Sequence, residues 1–584
     1  MSEIKKFHIV LIKPSHYDDD GYVIQWVRST IPSNSLASVY GLAKQCADGR
    51  ALGDDVDIEI EAFDETNTVI PVKRLIRALK RADGGFVGLI GVQSNQFPRA
   101  VDLARRFRAA DIPVVIGGFH VSGCLSMLPE LPDDIRRAQE MGCALYAGES
   151  EGRLVELLRD VHRGELKPVY NYLADMPDMA HATVPYLPQE VIKRNHTRYT
   201  SFDAGRGCPF QCSFCTIINV QGRKSRYRTA DDVEAIIRDN AAQGINRFFI
   251  SDDNFARNKN WEAILDRMIH LREEEGFRFR FLMQIDTLCY RMPNFVEKAQ
   301  RAGCNRVFIG LENINPDSLM GAGKRQNKIW EYRVMLQAWK DVGIISYVGY
   351  ILGFPGDTPE TIRRDIDILK RELPVDMVEF FILTPLPGSE DHQKLQAQGI
   401  WMDPDMNKYD LNHVTTGHPK MSAEDLQRAY HDAWEQYYTH DHIETVLRRG
   451  AAKGIKLKKL MLPLGGFYGS IMIEGLHPLE CGIFRRKVRT ERRSDLPREN
   501  PLVFYPRRAW ESLASLAGWL MLYRTYLGIQ RKVEADPGKD DYTDVSLSPV
   551  RDGENVELDL IKTFEDVIPD TYGAPKPRVT AAAN

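Results

Sequence analysis

Three of the nine cysteines, Cys208, Cys212 and Cys215, fall within eight residues. They lie in Gly205-Arg206-Gly207-Cys208-Pro209-Phe210-Gln211-Cys212-Ser213-Phe214-Cys215, whereas Cys46, Cys124, Cys143, Cys289, Cys304 and Cys481 stand alone. Nine thiols in 584 residues are too sparse for a disulfide scaffold, and a tight cluster points to metal or iron–sulfur chemistry. The spacing Cys-x-x-x-Cys-x-x-Cys puts three thiolates on one short loop, enough for three irons of a 4Fe–4S cluster. The fourth iron would lack a protein ligand and could take a small molecule. Zinc would ask for four closed ligands or three plus water; His196 could supply a fourth, but it lies beyond the preceding strand.

A loop of this kind has to be held at the end of something rigid. Apolar runs at 200–204, 247–251, 278–284, 306–310, 344–352 and 377–383 read as strands, separated by helical patterns at about 229–243, 261–274, 294–302, 328–342 and 359–371. Six strands with crossover helices predict a parallel sheet, either open or an incomplete (β/α)6 barrel, with its site at the strand C-termini. The cysteines follow the first of these strands. An earlier series alternates strands at 7–12, 56–62, 86–92, 114–117 and 144–147 with helices at about 36–45, 72–81, 99–109 and 151–163. That pattern predicts a doubly wound parallel sheet. Beyond Asp403 helices dominate, for example at 423–438 and 443–450, and from about Ala535 the chain reads as an unstructured polar tail. The expected organisation is therefore α/β, with units at 1–170, 190–400 and a helical 401–534, followed by a flexible 535–584.

With these motifs in place, the central region, roughly Tyr199 to Leu386, resembles the radical S-adenosylmethionine (SAM) superfamily. Its members carry a three-cysteine loop after the first strand of a partial barrel, with an aromatic residue before the last cysteine, here Phe214. Further matches are Ser251-Asp252-Asp253-Asn254-Phe255, Ile309-Gly310-Leu311-Glu312-Asn313 and the stretch from Gly349 through Gly353 to Thr358. The resemblance implies that Cys208, Cys212 and Cys215 carry the cluster and that SAM sits near Phe214, Asp252, Glu312 and Gly353. Read as residues alone, Glu312 is equally an exposed strand-end acid, the glycines equally shape a turn, and Asp252 and Asp253 equally cap a helix.

The first series resembles the cobalamin-binding domain of cobalamin-dependent radical SAM enzymes, the methyltransferase-like class B. The resemblance implies that Ser94-Asn95-Gln96, Gly117-Gly118-Phe119-His120 and Gly148-Glu149 wrap the corrin and its nucleotide tail. The first loop, Ser15-His16-Tyr17-Asp18-Asp19-Asp20-Gly21, departs from the Asp-x-His-x-x-Gly pattern that supplies a lower cobalt ligand in many cobalamin domains. No Gly-x-Gly-x-x-Gly follows the first strand, which disfavours a nicotinamide.

Lys plus Arg is 77 and Asp plus Glu is 81, a balance of −4 that argues against a dedicated nucleic-acid partner. A hydrophobic content of 43% and a charged content of 27% exclude disorder or coiled coil as the main architecture. No run is long and apolar enough for a transmembrane helix, and no signal peptide is evident, so a cytoplasmic protein is expected. One stretch pulls against that simple picture. Residues 485–508 carry nine basic and three acidic residues, and Trp510, Leu513, Leu516, Trp519, Leu520, Leu522, Tyr523 and Tyr526 follow. This reads either as a solvated loop with a core-packing helix or as a contact with an anionic membrane or phosphorylated lipid.

The resemblance thus implies an enzyme that binds a 4Fe–4S cluster, SAM and cobalamin and methylates an unactivated carbon of a small-molecule or lipid-like substrate. Electrons would come from an external donor such as flavodoxin or ferredoxin. The alternative is a radical enzyme of the same build that performs cyclisation, ring contraction or carbon–carbon coupling.

Overall fold

A computed structural model describes residues 4–196, 198–549 and 558–564 of the chain. The N-terminal strands are β1 (Lys5–Lys13), β2 (Gln25–Ser29), β3 (Val56–Asp64), β4 (Gly84–Leu89), β5 (Val114–Gly117), β6 (Ala144–Ala147) and β7 (Val169–Asn171). All but β2 form one parallel sheet in the order β3-β1-β4-β5-β6-β7. Strand β1 shows why its apolar run is continuous: Val10 and Ile12 enter the core on one face, while Phe7, Ile9 and Leu11 enter the core on the other. Helices Asn34–Asp48 and Leu154–Arg163 cover one face, and Val72–Arg81 and Phe97–Arg108 cover the other. Strand order reverses between β1 and β4, the place where a doubly wound sheet opens a crevice.

The second sheet comprises β8 (Tyr199–Phe202), β11 (Arg247–Ile250), β12 (Arg280–Ile285), β13 (Cys304–Glu312), β14 (Ile345–Leu352) and β15 (Met377–Ile382). A short antiparallel pair, β9 (Gly205–Arg206) and β10 (Arg226–Tyr227), closes the base of the cysteine loop. The six long strands are parallel and lie in sequence order from β8 to β15, with no pairing between those two ends. This is the incomplete barrel. Phe202, Phe248, Phe281, Val307, Val348 and Phe380 face the helices, so the alternate residues, among them Ser251, Glu312, Ile351 and Glu379, face the lumen.

After the barrel the chain is helical: Ala423–Tyr437, His440–Ala452, Leu457–Met472 and the 34-residue Pro501–Glu534. Between the last two, β16 (Gly482–Arg486) returns to pair antiparallel with β2, a closure that periodicity did not announce. Glu491 then meets Arg99 at 2.7 Å and Arg106 at 2.9 Å, tying the C-terminal region to the N-terminal sheet. The expected flexible tail is packed in part. Leu547, Leu558, Leu560 and Phe564 are buried, and Arg333 donates to the Ser548 carbonyl at 2.6 Å. Apolar side chains dispersed among polar ones dock without a periodic signature. The remainder of that stretch, 550–557 and 565–584, lies outside the described residues. Among the described residues no helix is long and apolar enough to cross a membrane.

Candidate active site

The cysteine loop leaves the C-terminal end of β8 and is pinned from two sides. Asp252 accepts from the Ala204 N–H at 2.6 Å, and Asp253 accepts from the Gly207 N–H at 3.0 Å. These aspartates anchor the loop; neither caps a helix. Burial pushes both carboxyls up to about 7, against the backbone hydrogen bonds that favour the charged form. On the other side the Ser213 N–H donates to the Ala322 carbonyl at 3.0 Å. Gly323, at φ +68, is needed there, because a Cβ would lie 2.5 Å from the Gln211 carbonyl oxygen.

All three thiols are free, Cys212 buried and Cys208 and Cys215 half-buried. Burial pushes the Cys215 thiol up to about 12, so ligation would displace its proton. His196 sits at the N-terminal end of β8, where its N–H bonds the Ser29 carbonyl at 2.8 Å, the wrong end of the strand for a fourth ligand.

Glu312 stands at a β-bulge opposite β14, with a left-handed φ of +64. A non-glycine residue in that region costs about 1–2 kcal/mol, and such strain is concentrated at functional positions. Its carboxylate is ion-paired with the Lys324 ammonium, which also lies 5.8 Å from the Phe214 ring centre. Burial opposes the lysine charge, but Glu312 and the neighbouring thiols hold its pKa above the usual lysine value. Gly353 turns the chain at φ +92, and Asp357 accepts from the Gly353 and Phe354 N–H groups at 2.9 and 3.0 Å. Ala322, Ile351 and Phe354, with Phe214 and Phe381 against them, form an apolar patch beside the loop. Deeper in the lumen, Glu379 is buried with neither oxygen hydrogen-bonded, and burial pushes it up to about 8. His477 lies 3.7 Å away, its ring stacked on Phe381.

The N-terminal sheet contributes an open cleft of about 1010 Å³, counted out to its mouth. Gly88, Gly91, Gly117, Gly118 and Gly148 line it, with Leu11, Phe86 and Tyr146 as its apolar floor. Gly118 is indispensable to that shape: at φ +149, a Cβ would lie 2.1 Å from the Val92 nitrogen. Two polar atoms at the cleft, Asn34 Oδ1 and Ser38 Oγ, are buried without a protein partner. A buried orphan acceptor is costly unless something bonds it. The glycine walls, apolar floor and orphan polar atoms fit the nucleotide part of a large cofactor such as cobalamin.

Of the residues expected to contact such a cofactor, Gly117, Gly118, Gly148 and Glu149 line the cleft. Ser94, Asn95, Gln96 and His120 do not. His120 lies 3.2 Å from Ser94 Oγ and 3.0 Å from Asp134, Asn95 donates to Glu480 at 3.2 Å, and Gln96 accepts from the Gln93 N–H at 3.1 Å. They form a buried frame behind the loops. The Glu149 carboxylate is already engaged by Arg206 and Arg226. His16, in the first loop, is buried against Glu480 at 3.1 Å.

Arg206 joins the two sites. Two residues before Cys208, it meets Asp203, Glu149 and Glu151, each at 2.6 Å, and it also lines the cleft with Val220 and Gln221. Nothing in its sequence context distinguished it from a solvated loop arginine. Lys324, Asn34 and Ser38 also went unnoticed, because each is identified only by what it faces.

Residues 203–369 match the Radical SAM superfamily. The chain is a radical SAM enzyme. It is 28% identical over 334 residues to the bacteriochlorophyllide d C-12(1)-methyltransferase of Chlorobaculum tepidum, covering 56% of this chain and 69% of that protein. It is 26% identical over 427 residues to the hopanoid C-2 methylase of Rhodopseudomonas palustris, covering 70% and 77% respectively. This radical SAM enzyme also shares its layout with TsrM from Kitasatospora setae, a radical SAM methyltransferase solved with cobalamin and a 4Fe–4S cluster bound. The TM-score is 0.55 at 16% identity, over 78% of this chain and 99% of TsrM. A doubly wound sheet, a partial barrel and a helical C-terminal region are thus the common architecture.

Proposed function

We propose that this radical SAM enzyme is a cobalamin-dependent methyltransferase acting on an unactivated carbon of a small-molecule or lipid-like substrate. The observation that carries the reading is the junction at Arg206. One guanidinium walls the glycine-lined cleft and braces the strand that leads into the three-cysteine loop. The bacteriochlorophyllide methyltransferase and hopanoid methylase support carbon methylation, and the layout shared with cobalamin-bound TsrM supports the second cofactor. When bound, the cluster supplies an electron for reductive cleavage of SAM, and cobalamin supplies a methyl carrier.

Within that reading Cys208, Cys212 and Cys215 ligate the cluster, and Asp252 and Asp253 hold the loop that presents them. Glu312 and Lys324 offer one acceptor and one donor to the polar groups of SAM. Phe214 and Gly353 give its adenosine an apolar wall and a close backbone approach. Gly117, Gly118 and Gly148 cradle the cobalamin tail, with Asn34 and Ser38 as its hydrogen-bonding partners. Ser94, Asn95, Gln96, His120 and Glu149 position those loops. No general base is required for hydrogen abstraction from carbon. An external flavodoxin- or ferredoxin-type donor completes the scheme.

The test is anaerobic reconstitution with iron, sulfide, hydroxocobalamin, reductant and SAM. The reading expects stoichiometric cobalt beside four irons, with both 5′-deoxyadenosine and S-adenosylhomocysteine released when substrate is present. Cobalt with 5′-deoxyadenosine alone, on a substrate that is nevertheless converted, would move the assignment to a non-methylating radical enzyme. Iron without cobalt would overturn the cobalamin assignment.

A further inference from the structure

Helix Pro501–Glu534 is anchored on one side only. Phe504, Tyr526, Gln530 and Val533 are buried, and Ser515 and Trp519 both donate to the Glu474 carboxylate of the preceding segment. Its other side is apolar and faces solvent: Leu502 is 83% exposed, Trp510 72% and Met521 71%, with Tyr505, Leu513 and Leu520 also exposed. Scattered apolar residues on a surface need no explanation, but a continuous stripe of this length on one helix does. From 502 to 521 the stripe runs about 30 Å at 1.5 Å per residue.

From 512 to 533 the charge on the helix is of one sign. No acidic residue occurs between Glu511 and Glu534, and Glu511 is occupied by Arg508 at 3.3 Å. Arg485, Lys487 and Arg493 of the basic segment are neutralised by Asp18, Asp20 and Asp405. Arg498 and Arg524 are exposed, with no carboxylate partner among the described residues.

A second observation comes from β16. Phe484, between the paired residues Ile483 and Arg485, takes a left-handed φ of +55 while 68% exposed. A bulky residue in that region is a genuine outlier, and here the strain presents an aromatic ring to water. Arg508 donates to the carbonyl of the adjacent Arg485, which ties this strand to the helix.

We propose that this surface docks on an anionic lipid bilayer. Leucines and a methionine with Trp and Tyr among them, with Glu511 tied up by Arg508 and arginines at the rim, match the chemistry of an interface with acyl chains below and anionic headgroups above. The helix lies on the membrane and does not cross it. A second copy of the chain is the less favourable occupant, because a two-fold contact sets the same unpaired arginines against each other. The inference is independent of whether methyl transfer is the reaction, since binding is read without turnover.

The reconstituted full-length protein should float with vesicles of phosphatidylcholine plus phosphatidylglycerol at least about tenfold better than with phosphatidylcholine alone, and raised salt should weaken binding. The combination Trp510→Glu, Leu513→Glu and Met521→Glu should abolish flotation while leaving the melting profile and iron content unchanged. Arg498→Glu with Arg524→Glu, which spares the apolar face, should remove the preference for anionic lipid by about tenfold or more. Wild-type protein that fails to float with anionic vesicles, or binds both compositions equally, would overturn the proposal. So would a dimer that these substitutions dissociate without vesicle binding in the wild type.

Discussion

The two six-stranded parallel sheets are built from the same kinds of strand yet prepare opposite kinds of site. In the first, chain order reverses between β1 and β4, and the crevice at the reversal is walled by glycine backbone. In the second, strands follow in sequence order and curl, so alternate side chains converge on a lumen. The first offers shape: removed Cβ atoms, an apolar floor and two orphan polar atoms. The second gathers charge and thiols: three cysteines, the Glu312–Lys324 pair, and carboxyls whose pKa values burial has raised. Topology decides whether a parallel sheet offers backbone or side chains to a ligand.

If that division is right, the two sites should fail separately. Cys212→Ala should reduce 5′-deoxyadenosine formation to background and deplete iron while cobalamin is still taken up. Ser38→Leu, which fills the cleft, should do the reverse. Overpacking of about 1–3 kcal/mol lowers cobalamin affinity by about fivefold or more, read as cobalt per chain at unchanged iron. Equal loss of both metals in either variant would break the comparison.

The next largest effect belongs to the join between the sheets. Arg206→Met leaves Asp203, Glu149 and Glu151 buried around an apolar side chain, and removal of one partner from such a set costs about 3–5 kcal/mol. Urea unfolding should show that loss. Lys324→Met should destabilise through Glu312 by the same logic, and Glu312→Gln added to it should recover part of the stability.

A second join is titratable. His413, beside the barrel, lies 3.2 Å from Asp19 in the first loop and 2.9 Å from Asp410. Burial lowers its pKa, but hydrogen bonds to the two aspartates outweigh burial and raise it to about 10. Its folded value exceeds the unfolded value of about 6.5. The imidazolium therefore stabilises fully below about pH 6.5, and that contribution is lost as pH rises towards 10. Thermal unfolding should show the decline in the wild type and a flatter profile in His413→Gln. The smallest effect is local: Phe484→Gly relieves the left-handed φ and should raise stability by about 0.5–1 kcal/mol while weakening vesicle binding.

Much of this was legible before any coordinates. Strands such as 114–117 and 144–147 announce themselves because a parallel strand covered on both faces is apolar throughout, and helix 72–81 because its apolar positions recur every three to four residues. The cysteine triplet is equally local, since spacing alone gathers three thiols on one loop. Tertiary structure decided everything that depends on an opposing surface. Asp252 could anchor or cap, and only its contact with the Ala204 N–H separates the two. The aromatic stripe after Arg508 is the plainest case. An apolar helix reads the same whether buried or bare, because the pattern records which residues avoid water and not what covers them. Packing of helix Leu457–Met472 against one side alone left the other side open.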